Sequence, residues 1–411
     1  MRLLWLSHVL PHPPKGGVLQ RSYHLLRAAA EENDVDLLTF RQRAFHPDIE
    51  SLNASVEALS EFVDVKGVHD LKVDRRLAGK LSTLVSSVFT RDPYTIRWNA
   101  SQEMEHAVRE LAATESYDAV HFDTVGMFQY RSHFPSSAWA LNYHNIESQM
   151  ILQRAGHAAL PLRAYLTWEG VRLRDWERRQ GVEADVHLVV SPLDGDRLRE
   201  HVNGAPVAVV ENAVDTEDFR PLGTPKREGH VVFIGRIDGY ANLSAVRWLR
   251  DEIWPMLLRG DRARTLGIVG RNPPPDVVAW GASDPTVEVT GFVDDVRGSF
   301  DEATVFVCPI YEGGGTRLKL LDAMSMGLPI VSHSMAIEGL DVVAGEHLFV
   351  ADDAAGIARA VEHLLGDETL RENLGQAARE RVIALYSTHA VKKHLLEAYD
   401  LAVDHSHTRI R

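Results

Sequence analysis

The sequence is poor in cysteine and has no long apolar run. Cys308 is the only cysteine among 411 residues, so neither an internal disulfide nor a multi-cysteine metal site can form. This usage suits a reducing compartment and excludes a disulfide-stapled secreted module. No stretch approaches the roughly 18 consecutive apolar residues of a membrane-spanning helix, and the apolar start, residues 3–6, predicts a buried strand rather than a signal peptide. We therefore expect a cytoplasmic protein.

Positive charge is also scarce. Lysine and arginine number 44 against 58 acidic residues, which gives a formal net charge of −14. A duplex-binding protein needs a dominant basic face, so nucleic acid is not an expected partner. The exception is segment 70–97, whose basic residues stand among leucines: Lys72, Arg75, Arg76, Lys80, Arg91 and Arg97. Two interpretations stay open: a solvated helix face, or a peripheral contact with a phosphate-bearing or membrane-held acceptor at the inner membrane face.

Short apolar runs alternate with helical patterns along the whole chain, which is typical of parallel α/β architecture. We predict strands at Leu3–Ser7, Asp36–Phe40, Ala119–Phe122, Trp139–Tyr143, Val186–Val190, Val207–Val210, Val231–Gly235, Leu266–Gly270, Val287–Thr290, Val305–Cys308 and Ile330–Ser332. We predict helices at Ser22–Glu32, Gln102–Thr114, Leu243–Leu258, Leu318–Met326 and Gly356–Leu365.

The pattern divides into two halves of similar size. Residues 1–210 and 230–385 each predict a parallel-sheet domain, and 211–229, which ends in an aperiodic stretch containing proline and glycine, predicts a connector. A last helix, 386–411, is expected to cross back to the first domain. Because parallel sheets bind ligands beyond the carboxyl ends of their strands, two such domains facing each other predict a central cleft.

Two glycine-containing turns are candidates for anion binding. Gly16 and Gly17 stand between the first strand and a helix, where glycine lets the backbone approach an anion closely. A plain tight turn explains this pair equally well. Neither a G-x-G-x-x-G fingerprint nor a Walker A motif is present, so nicotinamide-dependent and P-loop enzymes lose their main support.

The second half carries the stronger pattern. Arg236 directly follows a predicted strand, and a glycine-rich run, 312–317, leads into a helix. Free amides of Gly315, Thr316 and Arg317 at that helix start suit a phosphate. Arg236 and Lys319 would neutralise a diphosphate, and the carboxylate of Asp322 suits the vicinal hydroxyls of a ribose, because it accepts two hydrogen bonds at once.

In this order the pieces resemble the nucleotide-sugar domain of GT-B glycosyltransferases, specifically retaining glycosyltransferase family 4, also called group 1. The resemblance rests on Gly235-Arg236, the L-x-I-V-G strand ending at Gly270, V-x-V-T-G-F-V-D-D at 287–295, G-G-G-T-R-L-K-L-L-D at 313–322, and E-G-L at 338–340. The first half matches more loosely, through P-x-P-P-x-G-G at 11–17, His144-Asn145 and N-A-V-D at 212–215.

The resemblance implies a GT-B fold of two Rossmann-like domains. It also implies transfer of a sugar from a UDP- or GDP-sugar to a sugar or lipid-linked acceptor, with retention of anomeric configuration, in polysaccharide or glycoconjugate biosynthesis. The nucleotide sugar would be a co-substrate, and neither a further cofactor nor a metal is implied.

The family's site residues carry over position by position. The resemblance places Gly16 and Gly17 near the phosphates or the acceptor, His144 on the donor sugar, Arg236 on the diphosphate, the backbone of Phe292 and Val293 on the nucleobase, and Asp322 on the ribose. With Gly314, Gly315, Thr316, Arg317 and Lys319 these form the expected donor site. The expected catalytic set is His144, Glu312, Arg236 and Lys319.

This sequence departs from the family pattern at three places. The second of the family's paired acids, Asp322, is an aspartate and not a glutamate, which shortens its reach. The first of the family's paired acids would fall on Gly314, which has no side chain, and Glu312 is the nearest substitute. The family's usual lysine, a few residues after Gly-Arg, is replaced by Asn242 or is absent. Lys319 or Arg317 would then supply the positive charge that this lysine contributes.

Other interpretations remain open at this point. A GT-B nucleotide-sugar epimerase or phosphorylase is one, and a binding subunit without turnover is another, supported by the missing acid at Gly314. His144 alone would more often be a structural histidine. Asp194-Gly195-Asp196 resembles a D-x-D metal motif, but its place after Ser191-Pro192 predicts the acidic start of a helix. We therefore expect no essential metal.

Overall fold

The computed structural model describes residues 1–71, 87, 90–202, 204–260 and 264–410. Its internal contacts divide the chain into two compact units. The first comprises Met1–Glu211 together with Val391–Arg411, and the second comprises Asn212–Ala390. Each unit is built on one parallel sheet, which confirms the predicted pair of parallel-sheet α/β domains.

The first unit contains a seven-stranded sheet in the order β3-β2-β1-β4-β5-β6-β7. Leu3 to Leu6 on the central strand are at most 1% exposed, as expected for a parallel strand covered on both faces. The strands are β1 (Arg2–Ser7), β2 (Asp34–Arg41), β3 (Asp64–Asp70), β4 (Ala119–Phe122), β5 (Ala138–Asn142), β6 (Val186–Val189) and β7 (Val207–Val209).

The second unit contains a six-stranded sheet in the order β10-β9-β8-β11-β12-β13. In both sheets the chain starts in the middle and returns to the other side of the first strand, so a point of reversed strand order lies beside β1 and beside β8. Such points are where open parallel sheets bind ligands. The strands are β8 (His230–Ile234), β9 (Thr265–Val269), β10 (Val287–Gly291), β11 (Val305–Cys308), β12 (Ile330–Ser332) and β13 (Phe349–Val350).

Helices supply most of the connections. In the first unit they are α1 (Gly17–Ala30), α2 (Ile49–Ser60), α3 (Tyr94–Trp98), α4 (Gln102–Thr114), α5 (Glu147–His157), α6 (Leu162–Gln180) and α7 (Pro192–Arg199). In the second they are α8 (Tyr240–Trp248), α9 (Trp254–Leu257), α10 (Pro275–Ser283), α11 (Arg297–Glu302), α12 (Leu318–Ser325), α13 (Ala354–Gly366) and α14 (Glu368–Tyr386). The last helix, α15 (Thr388–Ile410), begins in the second unit and continues in the first.

All eleven predicted strands are present with small shifts at their ends, whereas β3 and β13 were not predicted. Both lie at sheet edges. The predicted helix Leu243–Leu258 is divided in the structure into α8, a π-helical turn at Leu249–Ile253, and α9. Pro255 accounts for the break, since it has no amide hydrogen to donate to the preceding turn.

Of the expected connector, 211–229, residues 212–229 belong to the second unit and are attached to it by specific bonds. The backbone amides of Leu222 and Thr224 donate to the carboxylate of Asp301, at 2.9 and 2.7 Å. Val214 forms a parallel bridge with Ser387.

The end of α15 is bonded in a similar way within the first unit. Tyr399 hydrogen-bonds His121 at 2.9 Å, and the Arg409 guanidinium lies 3.7 Å from the ring centre of Trp139 while it binds Asp185. The first unit is therefore completed by residues from the far end of the chain.

Segment 70–97 is only partly described. Lys72, Arg75, Arg76 and Lys80 lie outside the described residues, so the predicted basic helix is not tested there; Arg91 is exposed and Arg97 lies on α3. Among the helices that the structure describes, none is long and apolar enough to cross a membrane.

Candidate functional site

In the second unit, the turn after β8 and the first turn of α12 meet through Lys319. A side chain at Gly235 would overlap the Lys319 ammonium and come within 3.2 Å of the Asn242 amide nitrogen, so glycine leaves the room that this contact needs. Lys319 Nζ donates to Asn242 Oδ1 at 2.7 Å, and Asn242 Nδ2 donates to the carbonyl of Arg236 at 2.8 Å. One hydrogen-bonded chain thus joins the predicted Lys319 to the predicted Arg236 turn.

The Lys319 ammonium lies in surroundings that disfavour its charge. Burial lowers the pKa of Lys319 to about 8, and the nearby Arg317 contributes in the same direction. The ring of Phe233, 4.4 Å from Nζ, and the Asn242 oxygen offer only partial compensation. Asp322 opposes the shift, but burial outweighs it, and a buried cation in such surroundings is a strong candidate to bind an anion.

Arg236 presents its guanidinium to solvent. Its side chain is 67% exposed and pairs with Asp238, with 2.7 Å between Nε and Oδ1. Exposed ion pairs of this kind contribute about 0–1 kcal/mol. Exchanging Asp238 for a phosphate would therefore cost little, and the residue is available for the role that the sequence predicted.

Arg317 folds the glycine-rich loop. Its guanidinium donates to the carbonyls of Glu312, Gly313 and Gly314 at 3.0, 2.8 and 2.8 Å. Gly313 and Gly315 have φ angles of 90° and 79°, which glycine adopts without strain. The sequence left open whether Lys319 or Arg317 supplies the missing charge. These three bonds hold the Arg317 guanidinium against the loop backbone, and the assignment itself stays a prediction.

The acids of the loop region are held in place. Tyr240 at the start of α8 donates its hydroxyl to Glu312 Oε2 at 2.5 Å, and Glu312 is largely buried. Asp322 lies on α12 and is buried to the same degree. The Thr316 hydroxyl accepts from the side-chain amide of Asn212. Gly314 itself offers only backbone, so Glu312 is the loop carboxylate of this site.

The turns after β9 and β10 lie against the Gly235 turn. Gly270 has a φ of 148°, and a Cβ there would overlap the Gly235 carbonyl oxygen; its amide donates to Gly291 at 2.9 Å. Beyond Gly291 the ring of Phe292 is 49% exposed, and the Arg271 guanidinium lies 4.4 Å from its centre. Val293, the other predicted nucleobase residue, packs partly buried on the core.

In the first unit, His144 is bonded to a residue that the sequence analysis missed. Its Nε2 lies 3.2 Å from Oδ1 of Asp123, a fully buried carboxylate directly after β4. Asp123 also accepts from Ser7, Ser22 and Asn142 at 2.9, 2.7 and 3.0 Å. Its place at the carboxyl end of a predicted strand was the signal that could have identified it.

Charge in this cluster favours an ionised Asp123. Burial alone would raise the pKa of Asp123, but the adjacent His144, with hydrogen bonds from His121 and His8, holds it well below its ordinary value. Burial lowers the pKa of His144, although Asp123 opposes that shift. The result is a buried carboxylate that orients an imidazole at the edge of the sheet.

The same cluster is the place to consider a metal. Within the described residues, ligand atoms of His8, Asp123 and His144 lie within 4.8 Å of one another. The Asp123 carboxylate already accepts from two hydroxyls and an amide, so these donors satisfy it as a hydrogen-bonded charge. The expectation of no essential metal stays a prediction.

The two weaker motifs have simple local geometry. Gly16 has a φ of 105° and directly precedes α1, of which Gly17 is the first residue, so the turn requires glycine at position 16. Asp194 belongs to an N-terminal cap, because its amide donates to Ser191 Oγ at 3.1 Å, and Asp196 pairs with Arg199 at 2.8 Å. The D-x-D sequence therefore serves the start of α7.

The predicted site residues thus form separate groups. The structure joins Arg236, Lys319, Glu312 and the loop 314–317 through direct contacts and through Asn242 and Tyr240, neither of which the sequence analysis had placed in the site. Phe292 follows the adjoining turn, and Asp322 lies on the helix that carries Lys319. His144, Gly16 and Gly17 belong to the first unit.

Comparison with known proteins gives a family model and several relatives. Residues 228–367 match the model of a family described as "Glycosyl transferases group 1". Alpha-maltose-1-phosphate synthase of Mycobacterium tuberculosis is 28% identical over 286 residues, which cover 59% of this chain and 71% of that protein. The capsular polysaccharide biosynthesis glycosyltransferase CapM of Staphylococcus aureus is 28% identical over 119 residues, covering 28% of this chain and 31% of that protein.

Solved structures match over nearly the whole chain. Sucrose-phosphate synthase from Thermosynechococcus elongatus gives a TM-score of 0.70 at 19% identity, covering 97% of this chain and 98% of that one. The HepE protein of Anabaena in complex with UDP-glucose gives 0.64 at 14% identity, with the same coverage. At these identities the likeness concerns the fold, and it confirms the predicted GT-B architecture.

Proposed function

We propose that this chain, a transferase of the group 1 glycosyltransferase type, moves a sugar from a nucleoside-diphosphate sugar to a sugar or lipid-linked acceptor with retention of anomeric configuration. The observation that carries the proposal is the hydrogen-bonded chain from Lys319 through Asn242 to the Arg236 turn. It sets a buried ammonium and an exposed guanidinium on neighbouring turns at the carboxyl edge of one sheet. We propose that the donor diphosphate binds there.

The charge of the leaving group explains why these residues are needed. As the bond between sugar and diphosphate breaks, negative charge grows on the diphosphate, and fixed donors stabilise it without reorganising. Lys319 supplies a cation in partly desolvated surroundings, and Arg236 supplies a second that can exchange Asp238 for phosphate oxygens. The amides of Gly315 and Thr316 lead into α12, where the helix dipole favours an anion.

The remaining residues divide between the sugar and the nucleoside. We assign Glu312, fixed by Tyr240, to hydroxyls of the donor sugar, and Asp322 to the ribose. The backbone at Phe292 and Val293 is assigned to the base, next to the exposed Phe292 ring and Arg271. His144, oriented by Asp123, is the proposed sugar contact from the first unit.

The relatives support a choice of nucleotide and of biosynthetic role. UDP is the nucleotide that we propose first, because the HepE structures contain UDP-glucose or UDP and glucose. The capsular relative CapM supports a role in polysaccharide or glycoconjugate biosynthesis. We propose that turnover requires neither a metal nor a further cofactor.

Nucleotide binding tests the donor site directly. UDP, GDP, ADP and dTDP are added separately, with and without EDTA, and the thermal stability of the chain is measured. A ligand at 100 times its Kd stabilises the fold by about 2.7 kcal/mol, which is readily detected. We expect one diphosphate to stabilise the wild type irrespective of EDTA, and Arg236→Ala to lose most of that effect.

Arg247→Ala is the matched control. Arg247 is also an exposed arginine paired with an aspartate, Asp276, at 3.0 Å, but on α8 rather than on the turn. It should bind nucleotide like the wild type. Equal binding by the Arg236 and Arg247 variants would contradict the assignment, and stabilisation that EDTA abolishes would contradict metal independence.

Turnover is tested with the corresponding UDP- or GDP-sugar and glycan acceptors, with the anomeric configuration of the product read by NMR. Formation of an inverted product would refute retention while leaving the donor site intact. Nucleotide binding without any transfer or hydrolysis would favour a binding subunit.

A further inference from the structure

An exposed apolar face on the first unit has no role in the proposed reaction. We define the α5–α6 face by Met150, Leu160, Leu162, Trp168 and Val171, all exposed, with Leu160 exposed at 77%. These are five of the 19 large hydrophobic side chains that are exposed among the described residues, yet they fall within 22 consecutive positions. Scattered exposed hydrophobics are ordinary, but a concentration of this kind marks an interaction surface.

The core does not require these side chains. Helix α6 already buries Leu166, Gly170, Leu173 and Trp176, which lie three to four residues apart on one side. Leu162, Trp168 and Val171 lie off that stripe, and Leu160 precedes the helix. Leu160, Trp168 and Val171 line an open groove of about 510 Å³ together with Arg163. The side of α6 that faces the core is therefore already filled by apolar residues, and the α5–α6 face is apolar surface in addition to it.

Its charge is opposite in sign to that of the chain. Residues 150–182 contain six arginines and three acidic residues, whereas the whole chain has a net charge of −14. Two of those acids, Glu169 and Glu177, are buried, while the arginines at 154, 163, 178 and 179 are exposed. Solvent on this side of the unit therefore meets mainly positive charge.

The aromatic residue of the face is combined with a cation. The Arg172 guanidinium lies 4.3 Å from the ring centre of Trp168. The Trp168 ring suits the boundary between lipid headgroups and acyl chains because it is amphipathic. Arg172 is held by Glu169 and by the carbonyls of Thr90 and Asp92, so the exposed arginines are the ones that would meet lipid phosphate. A second copy of this chain would have to set this positive face against itself, because a two-fold dimer joins identical surfaces.

We propose that the α5–α6 face docks on an anionic lipid bilayer, with Leu160, Leu162 and Trp168 entering the headgroup boundary and the arginines contacting lipid phosphates. This is independent of the proposed function, since the face shares no residue with the donor site. Two weak contributions, apolar insertion and charge attraction, are the combination by which peripheral proteins bind membranes reversibly.

Co-sedimentation of the full chain with extruded vesicles tests the proposal. One set contains phosphatidylglycerol and phosphatidylcholine in equal parts, and the other contains phosphatidylcholine alone. We expect binding to the anionic vesicles, and its loss in about 1 M salt, where the Debye length is only about 3 Å. Removal of two exposed charges in Arg154→Gln/Arg163→Gln should weaken partitioning about 30-fold, at about 1 kcal/mol per basic residue and 1.4 kcal/mol per tenfold.

The apolar contribution has its own variant and control. Leu160→Ser/Leu162→Ser should weaken binding about tenfold, because these side chains would otherwise leave water. Val278→Ser/Ile383→Ser removes two exposed hydrophobics from helices of the second unit and should bind like the wild type. Far-UV circular dichroism and nucleotide binding establish that each variant is folded.

Three results of the vesicle assay would overturn the proposal, and one result from the oligomeric state would as well. The first would be that the wild type binds neither kind of vesicle, and the second that it binds both kinds equally. The third would be that folded variants of the α5–α6 face bind as well as the control variant. If the wild type is instead a dimer in solution that Leu160→Ser/Leu162→Ser dissociates, a second copy covers the face and the bilayer is the wrong occupant.

Discussion

The pH dependence of nucleotide binding should report on Lys319. Burial lowers the pKa of this ammonium to about 8 in the ligand-free protein, below the unfolded value of 10.5. A bound diphosphate would favour the charged form and raise that pKa again, so above about pH 8 binding must take up a proton. Affinity for UDP should therefore be constant between about pH 7, where the terminal phosphate of UDP is already mostly doubly charged, and about pH 7.5. It should fall about tenfold per pH unit above 8, as linkage requires for one proton.

The size of the effect follows from a single charged contact. A hydrogen bond to a charged group contributes about 1.5–3 kcal/mol, which corresponds to an increase of about 1–2 units in the Lys319 pKa on binding. The Kd for UDP should thus level off about 10- to 150-fold above its neutral-pH value. Lys319→Met should bind UDP at pH 7 with a Kd raised by the same factor, because it lacks the same contact.

Isothermal titration calorimetry in buffers of different ionisation enthalpy measures both the Kd and the proton uptake. The control is Lys393→Met on α15, an exposed lysine that lies 3.9 Å from Glu397 and should leave the profile unchanged. Because Lys319→Met also removes a desolvated charge, we expect it to be no less stable than the wild type without ligand. Loss of binding is then separable from loss of folding.

Two results would refute this reasoning. If Lys319→Met keeps the wild-type slope above pH 8, another group titrates and Lys319 does not meet the diphosphate. If the variant binds UDP weakly but the wild type shows no proton uptake at pH 8.5, Lys319 is already charged in the free protein and its burial does not prepare it for an anion.

Three further predictions concern groups around the two sites. Asp123→Asn should lower the free energy of unfolding at pH 7, measured by chemical denaturation, by about 3–5 kcal/mol. Because the pKa of Asp123 is depressed in the folded protein, the wild type should lose its extra stability over the variant only as the pH falls below 4. Burial raises the pKa of Glu177 to about 7 and that of Glu147 to about 8, so wild-type stability should fall as the pH rises from 4.5 to 8. Glu177→Gln should remove the Glu177 share of that slope, keep a share from Glu147, and melt higher than the wild type at pH 8 in calorimetry. Arg317→Gln should weaken UDP binding about tenfold or more by releasing the loop carbonyls, and Arg317→Lys should not restore it, since an ammonium cannot reproduce the three guanidinium bonds; full rescue by lysine would contradict a geometric role.

The central strands were predictable because burial on both faces makes them continuous apolar runs. β1, β4 and β8 are of this kind, and the structure confirms each. β3 has the sequence Asp-Val-Lys-Gly-Val-His-Asp and none of its residues is fully buried, so its apolar signal is weak. β13 has only two residues, fewer than any periodicity can reveal.

The site was predictable where a residue type is tied to backbone geometry. Arg236 after its strand and the glycines of the loop were found in this way. What the sequence does not contain is the partner of each side chain. Arg317 and Lys319 are both cations two positions apart, yet one folds the loop and the other faces Asn242, and only the direction of each side chain separates the two roles. Asp123 and His144 are 21 positions apart and meet because β4 and β5 are neighbours.

The division of α15 between the units has a consequence for how the protein is made. Residues 391–411 are synthesised after the second unit, but they complete the first unit, in which Leu395, Tyr399 and Ala402 are fully buried. During translation the second unit, 212–390, is therefore finished first, while the first must wait with His121 and Trp139 uncovered. A premature stop near residue 390 would spare the proposed donor site and leave the opening 211 residues dependent on chaperones.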